Sequence, residues 1–261
     1  MSKFSPKFTK DENGWYNVPR DTKMRNQLWP EGVSKHPAKY SCFLVWELAK
    51  HLTTPGQTIL DPMAGTGTTM IATLDDRKVI CIEVEEKYHE MQQYTLGKII
   101  EIKPEAKDDV MLLLGDCNKF LPIKVDCIIF SPPYADQLKR QTVSGIAAED
   151  TSSFAELTDY SRSIWNIGKL NFFMYFQRME SIYKKLAQSA PVMAVVVKDN
   201  VVHFERRPLV QQTIALCKKV GWKLVEEVKM SAPGSEFIKI HESHGEEMVK
   251  DESVLIMRSK L

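Results

Sequence analysis

The sequence predicts an α/β fold: a mostly parallel seven-stranded sheet with helices on both faces and an antiparallel hairpin at the C-terminal end. Three observations carry this reading. Short apolar segments with little polar alternation recur at 58–61, 78–83, 110–114, 125–130 and 192–198, the pattern of strands buried on both faces. Helical stretches at 68–74, 85–100, 171–188 and 207–220 separate them, and strands that alternate with helices imply a parallel sheet covered on both sides. Two last strands, 222–230 and 253–258, flank a polar loop and read as a terminal hairpin.

The elements follow in order along the chain. Residues 1–28 are polar and basic-leaning, with Lys3, Lys7, Lys10, Arg20, Lys23 and Arg25 against Asp11, Glu12 and Asp21, and read as an N-terminal arm. Residues 29–261 then form one domain. Its first helix places Tyr40, Phe43, Leu44, Leu48 and Leu52 on one face, and Pro55-Gly56 ends it. The connection 135–170 is long for a compact α/β domain, and a loop of that size is usually functional or disordered.

Composition narrows the class of protein. The chain has 261 residues, 43% apolar and 26% charged, enough for one sizeable core and ordinary for a globular protein. No apolar run approaches the roughly 20 residues that span a bilayer, and the start lacks the apolar stretch of a secretory signal. Cys42, Cys81, Cys117, Cys127 and Cys217 show no CxxC spacing, which argues for reduced thiols in a cytoplasmic setting and for neither a disulfide framework nor a metal site. A formal net charge of +1 neither supports nor excludes a nucleic-acid partner.

Candidate functional residues gather at the ends of successive strands, where open α/β sheets bind ligands. The turn Asp61-Pro62-Met63-Ala64-Gly65-Thr66-Gly67-Thr68-Thr69 follows the first core strand, and its glycines allow close backbone approach and positive φ. No GK[ST] follows, against a nucleotide P-loop, and Met70 stands where a dinucleotide fingerprint needs its third glycine. Glu83 ends the second strand, where an acid can accept hydrogen bonds from ribose hydroxyls; it also reads as the acidic start of a solvated helix. Asp116, after the third strand, can accept from an adenine amino group or cap a helix.

The fourth strand ends in Ser131-Pro132-Pro133-Tyr134. Two prolines cannot continue a central strand, and they fix an extended turn. The nitrogen of an aromatic amine is a poor nucleophile because its lone pair is delocalised into the ring. A site that accepts both amino protons, at Ser131 Oγ and the Pro132 carbonyl, favours a pyramidal nitrogen and aims its lone pair at a methyl group. Tyr134 offers a ring for a base to stack on. The bland alternative is a Pro-Pro turn with a packed tyrosine. Methylation at cytosine C5 would need a nucleophilic cysteine after the proline, whereas Cys127 lies inside the strand.

These motifs resemble the DNA amino-methyltransferases, the cytosine-N4 and adenine-N6 enzymes of restriction–modification and orphan systems. The resemblance covers roughly 29–134 strongly and 171–258 more loosely. It implies a Rossmann-like methyltransferase fold, S-adenosylmethionine as cofactor, and DNA as the partner that presents a flipped base, with RNA as an alternative. His36-Pro37-Ala38-Lys39-Tyr40 matches the family motif lining the methionine end of the cofactor, so the resemblance assigns His36 and Tyr40 to that site. Asp61 to Thr69 matches the DPFxGxGTT loop with Met63 in place of Phe; Glu83, Asp116 and Ser131 to Tyr134 match the ribose acid, the adenine-side acid and the catalytic motif. The serine form of that motif is commoner among cytosine-N4 enzymes. Two features depart from the family: here the cofactor loop precedes the catalytic motif, and no separate target-recognition domain is visible. Within 135–170, Lys139, Arg140, Arg162 and Trp165 are the candidates for contacting nucleic acid.

Overall fold

A computed structural model describes residues 2–31, 33, 40–133, 166–202, 205–231 and 249–260. Along the chain run β1 (Tyr16–Asn17), α1 (Thr22–Leu28), α2 (Cys42–Leu52), β2 (Thr58–Asp61), a 3-10 helix (Thr68–Asp75), β3 (Lys78–Glu83), α3 (Glu86–Ile102), α4 (Ala106–Asp109) and β4 (Val110–Leu114). Then come α5 (Cys117–Phe120), β5 (Cys127–Phe130), a 3-10 turn (Ile167–Lys169), α6 (Phe172–Ser189) and β6 (Val192–Val197). The hairpin β7 (Asn200–Val202) and β8 (Glu205–Arg207), α7 (Leu209–Lys219), β9 (Trp222–Ser231) and β10 (Asp251–Ser259) complete the order.

Among the described residues the main sheet has eight strands, in the order β1-β9-β10-β6-β5-β2-β3-β4. From β6 to β4 every pairing is parallel, whereas β10 is antiparallel to both β6 and β9. The expected Rossmann-like α/β architecture and terminal hairpin are therefore found, but with eight strands in place of seven. The extra strand is β1, which pairs parallel to β9 through Tyr16↔Met230 and Asn17↔Ser231. A two-residue strand is too short to leave a periodicity in the sequence.

Within the expected arm, Phe4, Arg25 and Leu28 are buried against the rest of the chain. Phe4 is buried against His51, with ring centroids 5.2 Å apart, and its N–H donates to Glu226 Oε2 at 2.9 Å. Trp29 is buried as well. Basic composition could not reveal this, because the partners lie far along the chain.

Alternation along the strands divides the core. One face buries Ile59, Val79, Ile129, Ala194, Val196, Val254 and Ile256 with α2 and Met70. The other buries Leu60, Ile82, Ile128, Phe130, Val195 and Leu255 with Met179, Ile182, Tyr183 and Leu186 of α6. Full burial of one such side chain is worth about 1.5–3 kcal/mol, against about 0–1 kcal/mol for a surface ion pair. Apolar packing on both faces thus holds the sheet. Helix α2 starts where Ser41 Oγ accepts from the Phe43 N–H at 3.2 Å. Residues 68–75 coil as a 3-10 helix; three threonines and Ile71 are stiff, β-branched residues in this short element.

The chain runs outward from β2 to β3 and β4, then returns to β5 on the other side of β2. Strand order therefore reverses between β2 and β5. The carboxyl ends of these strands are the expected position for a ligand crevice.

Candidate active site

The loop after β2 is held on every side. At its start Asp61 is fully buried, and its Oδ2 accepts from the Tyr40 hydroxyl at 2.7 Å and from Thr69 Oγ1 at 2.5 Å. The Tyr40 and Thr69 hydroxyls also touch each other. Burial pushes the Asp61 carboxyl up to about 6 and raises the Tyr40 phenol well above its usual range. Tyr40, Asp61 and Thr69 thus brace the loop from beneath with their polar atoms turned toward one another.

The two glycines have different reasons to be glycine. Gly67 has φ +80°, and a Cβ there would lie 2.5 Å from Met70 Cε and 2.9 Å from Gln92 Cγ. Gly65 has φ +51°, but an added Cβ would meet nothing within 4 Å. Packing demands the first glycine, while the second combines a left-handed backbone with an open side. Met63 and Ala64 complete the turn: the Met63 N–H donates to Asp61 Oδ1 at 3.1 Å, and the Ala64 N–H to the Ile82 carbonyl at 2.9 Å.

Glu83 closes the site from β3. Its Oε2 accepts from the Gly65 N–H at 2.7 Å, and its Oε1 from the Val84 and Glu85 N–H groups, both at 2.8 Å. A carboxylate offers about four lone-pair sites, so roughly one remains for a ligand hydroxyl. Burial raises the Glu83 carboxyl to about 7, against the pull of those three hydrogen bonds.

Asp116 lies past the end of β4 and is both cap and ion-pair partner. Its Oδ1 accepts from the Asn118 N–H at 3.0 Å and caps α5, while its Oδ2 pairs with Arg178 of α6. At the end of β5, Phe130 is fully buried and Pro132 is buried, whereas Ser131 and Pro133 are half-buried at the rim. Cys127, inside β5, is buried, and burial pushes its thiol far up, which leaves no thiolate for nucleophilic chemistry. His36, Tyr134, Lys139, Arg140, Arg162 and Trp165 lie outside the described residues.

Sequence reasoning missed four polar side chains. Gln92 of α3 is fully buried; its Nε2 donates to the Gly65 carbonyl at 2.7 Å, and its Oε1 has no hydrogen-bond partner among the described residues. Its signal was a polar residue on the face that α3 buries, between Tyr88 and Ile99. Trp29 Nε1 donates to the Thr66 carbonyl at 2.8 Å, and the Arg25 guanidinium reaches Thr68 Oγ1 at 3.3 Å. Arg178 is the fourth, and no local pattern marked it.

The arrangement fits a nucleoside-bearing ligand. Gly65 provides an open, positive-φ backbone, Glu83 keeps one acceptor site, and a second carboxylate stands past the end of the neighbouring strand β4 at Asp116. Among the described residues no cluster of three or more His, Cys, Asp or Glu side chains could hold a metal ion, and no helix is long and apolar enough to cross a membrane.

Residues 3–94 match the family described as DNA methylase. That span takes in the N-terminal segment, the glycine loop and Glu83, and ends before Asp116 and Ser131. Among solved structures, the 1320 protein of Thermoplasma acidophilum aligns over 92% of this chain and 96% of its own, with TM-score 0.50 and 10% identity, a likeness of fold. TYW2 of M. jannaschii, solved in complex with AdoMet, is 12% identical over 88% of this chain and 82% of its own, with TM-score 0.45. TrmN of Thermus thermophilus is 15% identical over 85% of this chain, with TM-score 0.45, and this chain spans half of its length.

Proposed function

We propose that this chain transfers a methyl group from S-adenosylmethionine to the exocyclic amino nitrogen of a flipped base in DNA, with cytosine N4 the favoured atom. The observation that carries the reading is the placement of Ser131-Pro132-Pro133 at the end of β5, directly across the strand-order reversal from the glycine loop of β2.

When bound, the cofactor supplies an electrophilic methyl group. The residues of the chain bind, orient and exclude water. Gly65 lets the ligand approach the backbone, Glu83 takes a ribose hydroxyl, and Asp116 takes the adenine amino group. Ser131 Oγ and the Pro132 carbonyl hold the two protons of the target amine, so its lone pair leaves the ring plane and faces the methyl group. Tyr134 stacks on the base, worth about 1–3 kcal/mol, comparable with the few kcal/mol that unstacking costs. Lys139, Arg140, Arg162 and Trp165 are the proposed contacts to the surrounding strand.

A neutral hydroxyl at Ser131 places no fixed charge next to the ring acceptor that adjoins the amino group, N3 in cytosine and N1 in adenine. The preference for cytosine rests on the serine form of the motif, which is commoner among the cytosine-N4 enzymes that the chain resembles. The test is mass analysis of nucleosides after incubation with labelled S-adenosylmethionine and DNA or RNA. N4-methylcytosine is expected. N6-methyladenine alone would move the assignment to adenine, a labelled ribonucleoside would move the partner to RNA, and no product on either polymer would overturn the reading.

A further inference from the structure

Arg25 is 1% exposed, and its guanidinium is engaged in several directions. Nε donates to Asp21 Oδ2 at 2.9 Å, Nη2 to the Tyr40 carbonyl at 2.7 Å, and both Nη atoms lie 3.3 Å from Thr68 Oγ1. The same Asp21 oxygen accepts from the Cys42 N–H at 2.9 Å and so ties α1 to the start of α2. The guanidinium carbon sits 5.1 Å from the Trp29 ring centroid, and Trp29 Nε1 reaches the Thr66 carbonyl.

Burying a paired charge is costly, and a well-packed apolar residue of similar volume is often as stable or more so. What a methionine or leucine at this position could not do is hold Thr68 and the Tyr40 carbonyl at fixed geometry. Arg25 and Trp29 grip the glycine loop at Thr66 and Thr68, while Glu83 and Gln92 grip it at the Gly65 N–H and carbonyl. The loop is thereby clasped between α1 with Trp29 and the β3–α3 segment.

We infer that Arg25 and Trp29 are positioning residues of the cofactor site: α1 acts as an outer jaw that sets the conformation of residues 65–69 before ligand arrives. The inference rests on the cofactor part of the proposed function, but the geometry it claims exists without ligand. It also assigns the basic residue Arg25 to the cofactor loop, where the sequence suggested an arm.

Arg25→Met and Trp29→Phe test this, because each keeps an apolar body in the site and removes the polar grip. The primary readout is amide hydrogen exchange in the ligand-free protein. Exchange at the Gly65, Gly67 and Met70 amides should speed up by about tenfold or more as the loop opens locally, with α3 and β3 unchanged. Affinity for S-adenosylmethionine, measured by calorimetry, should fall by about tenfold if the loop is correctly set only about a tenth of the time before ligand arrives. Arg25→Lys, which keeps the charge but not the planar fork, should recover part of the loss. Unchanged exchange and affinity in folded variants would overturn the inference, as would exchange that rises equally throughout the sheet, the mark of general destabilisation. If Arg25→Met does not fold, Trp29→Phe decides alone. A parent protein that binds no S-adenosylmethionine, yet shows the localised exchange change in the variants, would overturn the cofactor assignment and leave the clasp standing.

Discussion

Replacing Glu83 with glutamine separates charge from shape at the centre of the site. The carboxylate accepts three backbone N–H groups, Gly65 at 2.7 Å on one oxygen and Val84 and Glu85 at 2.8 Å on the other. A carboxamide has one oxygen. If that oxygen faces Val84 and Glu85, the new NH2 confronts the Gly65 N–H; if reversed, it confronts the other two. At least one buried donor therefore loses its acceptor, at about 1–3 kcal/mol. Relief from burying an acid opposes that loss, so the melting temperature should fall less than the hydrogen-bond count implies. Affinity has no such compensation. The ribose hydroxyl loses a charged acceptor worth about 1.5–3 kcal/mol, which at about 1.4 kcal/mol per decade is roughly a 10- to 150-fold weaker Kd. The assay is calorimetric titration with S-adenosylmethionine at pH 8, beside a thermal melt. A folded Glu83→Gln protein within twofold of the parent affinity would refute a cofactor role for this carboxylate.

Three further outcomes follow from the same geometry. Folding raises the Glu83 carboxyl to about 7 and Asp61 to about 6, so the folded state binds these protons more tightly than the unfolded chain. Their stabilising effect is full below about pH 4 and is lost as pH rises through 6 to 7, while cofactor affinity, which needs ionised Glu83, should rise roughly tenfold from pH 6 to pH 8. Opposite slopes in melts and titrations are expected, and Glu83→Gln should flatten the titration and leave in the melts only the slope that Asp61 supplies; a parent Kd independent of pH would contradict the assignment. Gly67→Ala should lower the melting temperature sharply, since about 1–2 kcal/mol of left-handed strain adds to contacts of 2.5 and 2.9 Å, whereas Gly65→Ala should fold and lose affinity; equal melting losses would count against this division. Tyr134→Ala should lose activity on duplex DNA with cofactor affinity retained and Tyr134→Phe should keep most of it, because the ring face does the stacking; an alanine variant as active as the parent would exclude that role.

Legibility in the sequence followed the range of the interactions. The bounds of β2, β3 and β4 coincide with the expected segments, because continuous apolar runs end there in aspartate, glutamate or glycine. Glu83 and Asp116 were legible as acids at strand ends, and Asp116 proved to be a cap as well. Gln92, Arg25 and Trp29 were not legible, since each acts on a loop 27 to 43 residues away and leaves no local period. The same reason hid β1: its hydrogen bonds are satisfied by a strand near the other end of the chain, and two residues carry no alternation.

That pairing has a consequence for biosynthesis. The Phe4 amide finds its acceptor on Glu226, 222 positions later, and Tyr16–Asn17 needs β9 as a neighbour. A ribosome releases Phe4 well before its dock, which follows 222 positions later. Until β9 emerges, the chain upstream of α1 has no strand to lie against, whereas α1 is already tied to α2 through Asp21 and to the glycine loop through Arg25. Contacts this distant form late, because loop closure precedes any gain from them. The docking of the first strand is thus expected to wait for β9, and a stalled nascent chain ending before residue 222 should leave the Phe4 and Tyr16–Asn17 backbone open to exchange.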